Sequence, residues 1–569
     1  MEYPGYHLTG VEEMDSVRHS YTDEDSEREY EGIDLLIEES LFRELLEFVA
    51  IPTYRGGAFS EDQVVNHLEQ IRDRLTTQVK EFNLGQKVHK LELFEWKQPV
   101  GHEYWLFGFR LGSGPHKIAV CCHLDTVPPG DDSSWNPFEL VREQRDYMGK
   151  ASQDFYVGRG SIDDKGPAVV AFNVLKAVAR KYDGSDKLDA TTVEVIFDTS
   201  EETDMAMPHY LRAMPADSPD FGIIFDASWS VRAEKGIERP KFTVARNSGG
   251  GVGMWIDHLN TPQGPSNQIP EFAEAVIHGD SAAELAILAE SVDVMYAEYS
   301  FDDPDYHRAE MTVDFDVVSR SLTLRTAVAG AQHGSAPQEN RSGGANPVVS
   351  LANFLAGLVD QGKLASNEIG EMCRFLAWGW GTKVFGEHHP ELLLRNDEVF
   401  EAGNGTTYAA TRLYTRPDLV QMELDIRYAI DHHSHSWDGS EGMLKGESSI
   451  FSEVFSQLTV AFNASASHPV TVETSTAAPP DIRLPENESF STVAEAFLQV
   501  MGEPTPARAI GGGTDAKGHN TLIAAGALFT DELGPPINFH GINEGAPVED
   551  LKNGARIIYR LFVDQIEGR

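Results

Sequence analysis

The stretch TTVEVIFDTSEETDMAM, Thr191–Met207, opens as an unbroken run of β-branched and aromatic residues and stops at two adjacent carboxylates, Glu201 and Glu202. A short apolar run with no polar alternation reads as a strand buried on both faces, which is how parallel strands of an α/β sheet look. No structural role asks for two negative side chains together at the end of such a strand, so the pair raises a functional question. Three other runs end in the same manner. KIAVCCHLDTVPPGD (residues 117–131) stops at His123 with Asp125 two positions on, FGIIFDASW (221–229) stops at Asp226, and PPINFHGINE (535–544) stops at His540. A fifth element, GRGSIDDKGPAVVAFNVLKAVARKY (158–182), places Asp163 and Asp164 on a glycine-bounded turn before a helix. In an open α/β sheet the functional crevice lies outside the carboxyl ends of the strands. These residues therefore converge on one place, and a lone His or Asp at a strand end would mean little without the others.

Around this core the chain divides. Residues 1–34, including TDEDSEREYEGID, are acidic and nearly free of apolar periodicity, which reads as a loose arm. From IDLLIEESLFRELLEFVAIPTY onward helical and strand patterns alternate through residue 234. Between 235 and 436 the character changes. EMTVDFDVVSRSLTLRTAVAG and LVQMELDIRYAI alternate as antiparallel strands do, and NPVVSLANFLAGLVDQG reads as an amphipathic helix. The α/β pattern resumes over 437–569. The expectation is one catalytic α/β domain with a mixed, mainly parallel central sheet, interrupted by an inserted α+β lid.

Composition narrows the function. The net charge of −44 comes from 90 acidic against 46 basic residues, of which only 17 are Lys. That argues against nucleic acid and anionic membrane as partners. It reads either as a well-hydrated surface or as adaptation to a salty medium. No run is long enough to cross a bilayer. Three cysteines, Cys121, Cys122 and Cys373, form no disulfide framework, and a reducing cytoplasm is the expected location. Cys121 and Cys122 flank His123 but read as core packing. Two His and three carboxylates without thiolate suit zinc first, with manganese or cobalt as alternatives. Five ligands exceed what one four-coordinate zinc with an open position uses, and they suit two ions sharing a carboxylate.

The motifs HLDTVPPGD, GRGSIDDKGP, SEET, FDASW with AEKG, GAQHGSAP with GANPVVSL, LDIRY, GGGTDA and HGINE together resemble the di-zinc peptidases. That superfamily contains glutamate carboxypeptidase, succinyl-diaminopimelate desuccinylase, aminoacylases and carnosinase, and the GRG, DDKGP, EKG and GGGT forms are most similar to peptidase V-type dipeptidases. The resemblance runs from about residue 35. It implies His123, Asp163 and Asp226 on one zinc and His540, Glu202 and Asp163 on the other, with Asp163 bridging and a cis peptide bond to Asp164. It implies Asp125 as the residue that fixes the His123 tautomer, Glu201 as general base, and His333 of the lid as oxyanion donor. Asn267, Arg427 and the run Gly511–Thr514 (Gly512, Gly513 and Thr514 in particular) are implied substrate contacts. The implied substrate is a small peptide, with an N-acyl amino acid as the alternative, cleaved by a deacylase or carboxypeptidase of the same chemistry. A non-catalytic binding protein on this scaffold would have lost a ligand or the base, and none is missing. The lid's size implies a site completed within one chain, favouring a monomer over a homodimer. The insertions ARNSGGGVGMWIDHLNTPQG and LAWGWGTKVFGEHHPELLL exceed the usual pattern, and DHHSHSWD (residues 431–438) reads as an exposed loop.

Overall fold

The computed structural model describes the chain apart from residues 1–23, 57, 99–104, 131–132, 204, 247–251, 263–265, 329–331, 336, 338–344, 397–399, 401–404, 430–450, 475–479, 484–486, 518, 520 and 531–532. The histidines of DHHSHSWD lie outside the described residues. The catalytic domain is built on strands β1 (Glu92–Lys97), β2 (Trp105–Gly112), β3 (His116–His123), β4 (Thr191–Asp198), β5 (Phe221–Ile224) and, from the far end of the sequence, β6 (Leu522–Ala524). Their order is β1-β2-β4-β3-β5-β6. The pairs β4/β3, β3/β5 and β5/β6 are parallel, and β1/β2 and β2/β4 antiparallel. The sheet is mixed, and its parallel half carries the strand ends that matter.

Every residue of β4 is buried, which explains its unbroken apolar run. Its mid-strand charge, Glu194, faces Arg110 across the β2 pairing and is bonded to it. Odd and even positions serve opposite cores. Val193, Val195 and Phe197 join Ile118, Val120 and Cys122 under a layer of helices, while Ile196, Cys121 and Ala119 face a smaller cluster with Met207, Tyr210 and Leu211. The two adjacent cysteines are thus core residues on opposite faces, their thiols pushed up by burial. The helix layer is α1 (Glu24–Val49), α2 (Lys165–Lys181) and α3 (Val548–Glu567), packed on one another.

Two boundaries differ from the sequence reading. Residues 24–34, assigned above to a loose arm, are the first turns of α1. Ile33 and Ile37 are buried in the main core, and Asp34 and Glu38 are paired with Arg556 and Lys552 of α3. Charge pairing with a helix more than 500 residues away holds a segment that has little apolar periodicity of its own. At the other end, the helix Ser452–Asn463 and strand Val470–Glu473, assigned to the second catalytic segment, belong to the lid. That strand pairs with Lys241–Ala245 in the lid's sheet, and Phe455, Leu458 and Phe462 fill the lid core. A helix followed by a strand looked like a resumed α/β pattern.

Besides the two-stranded ribbon of Gln268–Ile269 with Gln332–His333, the described part of the lid has two larger antiparallel sheets. One carries Thr407–Thr415, Leu419–Tyr428, Lys241–Ala245 and Val470–Glu473, and the other Met254–Asn260, Phe272–Gly279, Ser321–Ala327 and Glu310–Asp316. Both pack against the helices Pro347–Asp360 and Glu368–Gly379 over a separate core. Phe375 and Trp380 of the aromatic insertion are buried there. Asn346 caps the first helix through the amides of Val348 and Val349 and ties it to Ala410 O. The chain enters the lid at Gly236, where an added Cβ would lie 2.1 Å from the buried Tyr428 ring, so no larger residue fits. Among the described residues no helix is long and apolar enough to cross a membrane.

Candidate metal centre

The ends of β3 and β4 are level, with His123 paired to Asp198. Past Asp198 the chain does not stay extended. The Asp198 carboxylate accepts the amides of Ser200 at 2.7 Å and Met207 at 2.6 Å, and Ser200 O accepts the amides of Thr203 and Met205. This turn answers the question posed by the paired glutamates. Neighbours on an extended strand would face opposite ways, whereas here Glu201 and Glu202 both come within reach of His123. The turn is clamped by Asp125, whose carboxylate accepts the Glu201 amide at 3.0 Å and the Glu202 amide at 3.2 Å. Arg55 in turn holds Asp125 Oδ2 at 3.4 Å and Thr199 O at 2.7 Å.

The five residues expected to hold metal come together in two triads, His123/Asp163/Asp226 and Asp163/Glu202/His540, whose donor atoms lie within 4.8 Å of one another. Asp163 is shared. Its Oδ1 is 2.9 Å from His123 Nε2, and its Oδ2 is 2.6 Å from His540 Nε2. Asp226 lies 3.6 Å from the first imidazole and Glu202 3.3 Å from the second. The His123 ring is oriented by Nδ1, which donates to the main-chain carbonyl of Asp125 at 2.9 Å, with the carboxylate further off at 3.5 Å. Asp125 does fix the ring, but through its backbone, because its carboxylate is committed to the glutamate turn. The Asp163–Asp164 peptide bond is cis, and Asp164 accepts the His123 amide at 2.9 Å.

The electrostatics of this cluster call for a cation. Burial raises the carboxyl pKa of Asp226, Glu201 and Glu202, and the neighbouring carboxylates add to it. Burial would lower both imidazoles, yet Glu202 and Asp163 push His540 up to about 10, and Asp125, Asp163 and Asp226 hold His123 well above its usual value. Asp163, between two imidazoles, is lowered despite its burial. Asp163 Oδ2 and Glu202 Oε1 are buried with no hydrogen-bond donor. An oxygen-and-imidazole set with no thiolate, excess negative charge and orphaned buried oxygens fits divalent metal.

The lid brings His333 over this cluster, its ring 4.8 Å from that of His540. Ser335 faces His333 Nδ1 with its amide, which donates at 3.1 Å, and with its hydroxyl at 2.5 Å. Burial, His540 and Arg427 lower the ring's pKa, so the ring is neutral. Asn267 Nδ2 faces Nε2 at 3.3 Å. Arg427 is buried, its Nε donating to Asp425 at 2.9 Å and its Nη1 reaching Gly511 O at 3.4 Å. The glycine run differs from expectation. Thr514 donates both its amide, at 3.0 Å, and its hydroxyl, at 2.8 Å, to Glu234, so it is committed within the protein. At Gly511 an added Cβ would lie 2.5 Å from Ser335 O. Gly511 therefore admits the His333 loop, while Gly512 and Gly513 stand beside it. Sequence reading passed over Arg55, Asp198, Arg159 and Glu544. The last two stood within quoted motifs, GRG and HGINE, without an assigned task.

Similar proteins are peptidases by name. A provisionally named dipeptidase of Staphylococcus saprophyticus is 24% identical over 466 residues, covering 80% of this chain and 85% of that one. A provisionally named dipeptidase of Bacillus subtilis, YtjP, is 25% identical over 474 residues, covering 81% and 85%. The crystal structure of human carnosine dipeptidase 1 shares the fold with a TM-score of 0.53 at 13% identity, over 95% of this chain and 99% of that one. The sequence profile of one family matches residues 119–564, the span that holds all five candidate ligands, and the chain is accordingly a member of peptidase family M20/M25/M40.

Proposed function

We propose that this enzyme is a two-metal dipeptidase in which Glu201 is the proton-transfer group. The observation that carries the reading is the Asp163 carboxylate, with one oxygen facing each of two imidazoles that have a further carboxylate apiece. His123, Asp163 and Asp226 would hold one ion, and His540, Glu202 and Asp163 the other, with zinc favoured by the donor set and manganese or cobalt compatible with it. When bound, such ions acidify water and polarise the scissile carbonyl. Glu201, beside His123 at the open edge of the cluster, accepts the water's proton and returns it to the leaving amine. His333 stands over the cluster as the reading's donor for the oxyanion that forms on the carbonyl, which requires the ring proton on Nε2 and the Asn267 amide to present its oxygen there. Arg427, held by Asp425, places a guanidinium on the lid side for the substrate's carboxylate.

Because His333 reaches His540 of the same chain, we read each chain as a self-sufficient site and the monomer as the working unit. The buried free thiols support a cytoplasmic location. The test sets unblocked dipeptides against N-acyl amino acids, with metal-loaded enzyme. The dipeptides should show the higher kcat/KM, and cleavage of the acyl amino acids alone would replace this reading with the deacylase one.

A further inference from the structure

Between the Asp163 loop and the His540 loop lies a buried ion pair, Arg159 with Glu544, that bonds to backbone on both sides. Arg159 and Glu544 are 1% and 0% exposed and bonded to each other. Each also holds backbone of the other's neighbourhood. Arg159 Nη2 donates to the carbonyls of His540 at 3.0 Å, Gly541 at 3.2 Å and Pro128 at 3.1 Å. Glu544 Oε1 accepts the amides of Gly160 at 2.9 Å, Ile162 at 3.3 Å and Asp163 at 3.4 Å. The Glu544 carbonyl takes the Gly158 amide and the Ser161 hydroxyl. The guanidinium lies 5.5 Å over the Trp135 ring.

The loop so gripped does not hold its shape unaided. Asn538, His540 and Asn543 all have positive φ, 53°, 61° and 58°, a region that side-chain-bearing residues avoid. His540 arrives from a distant part of the chain, on a loop with little regular structure, and must meet the Asp163 carboxylate.

We propose that Arg159 and Glu544 are positioning residues that set the His540 loop against the Asp163 loop, so that the second metal triad holds its tight geometry only while the pair is intact. The planar fork of Arg159 gives it the reach to bind the carboxylate and the His540 carbonyl together, which a lysine cannot do. The first triad depends less on the pair, since His123 ends β3 and Asp226 lies two residues past the end of the adjoining β5. This inference rests on the two-metal reading.

The experiment titrates metal-free protein with zinc against a competing chelator, and follows its thermal melting. The parent should bind two equivalents; uptake of one would sink the two-metal reading itself. The double variant Arg159→Met/Glu544→Gln exchanges the buried pair for neutral groups of similar size, which commonly leaves stability intact. It should melt near the parent without metal, yet bind one zinc as before and the second about 10–100-fold more weakly, the loss typical of groups that orient metal ligands. Arg159→Lys, which keeps the charge but not the fork, should show the same selective loss, and it serves if the double variant does not fold. A parent with two tight sites and variants that keep both, or weaken both equally, would overturn the positioning role while leaving the two-metal reading standing.

Discussion

Glu201→Gln and Glu202→Gln each remove a negative charge at nearly constant volume, one residue apart, and they should fail in different ways. Glu202 Oε1 faces His540 Nε2 at 3.3 Å and belongs to the second triad. One unit of charge at about 4 Å, at an effective dielectric of about 20, is worth about 4 kcal/mol. Part of this is offset, because burial already disfavours the Glu202 carboxylate and a neutral amide escapes that cost. The net expectation is a loss of one to two decades of metal affinity, about 1.4–2.8 kcal/mol, with activity partly restored by excess zinc. Glu201→Gln keeps every residue of both triads and loses only a proton acceptor. It should retain the parent's metal content, while turnover falls by about 10²–10⁴, or about 2.7–5.4 kcal/mol in the barrier. The Asp125 clamp holds the turn by its amides, so neither substitution disturbs the backbone. The assay is metal per chain after dialysis against graded chelator, with kcat on a dipeptide measured with and without added zinc. A Glu201→Gln enzyme that loses metal, beside a Glu202→Gln enzyme that stays loaded and is merely slow, would reverse the assignment.

Three further outcomes are expected. With a net charge of −44, the melting temperature should rise between low salt and about 1 M KCl as the screening length falls to about 3 Å; a flat or falling curve refutes self-repulsion as a significant cost. Asp550 is buried, takes the Tyr147 hydroxyl at 2.6 Å, and is pushed up to about 7 by that burial. The unfolded chain releases the same proton near 3.9, so the native state holds more protons between those values and stability falls as pH rises from about 4 to 7, by at most ~4 kcal/mol. Asp550→Asn should flatten that part of the stability profile in denaturant titrations, and an unchanged slope would clear Asp550. Finally, His333→Ala and Glu201→Gln chains mixed together should show no recovery of activity, since each chain carries its own His333 against its own His540; recovery would mean a shared site.

Part of the cluster was legible in the sequence because His123, Glu202 and Asp226 lie at or just past the ends of buried strands, whereas His540, read as the end of another such run, sits on a loop with positive φ. The turn that brings Glu201 and Glu202 to one side was half legible. Thr203 is a turn former, but the clamp is Asp125, 76 residues away. The same physics hid the first turns of α1. Its stripe Ile33, Ile37, Leu41, Leu45 begins only after a charged stretch in which Glu29 is paired with Lys181, and Asp34 within it is held by Arg556. Thr514 was misread for a related reason. Its partner Glu234 lies 280 residues away, and a polar side chain announces the hydrogen bonds it can make without saying with whom.

The order of the ligands along the chain also bears on biosynthesis. His123, Asp163, Glu202 and Asp226 are all made before the lid, and His540 follows roughly 300 residues later, behind the edge strand β6 and just ahead of α3. At about 5–20 residues per second, a ribosome-bound chain carries four ligands without the fifth for roughly 15–60 s. Over that interval the acidic crevice lacks both its second imidazole and the Glu544 that braces the Asp163 loop. On the two-metal reading proposed above, the peptidase would be inert while it is itself an unfinished, unfolded peptide, and the cut-off would be set by where one histidine falls in the reading order.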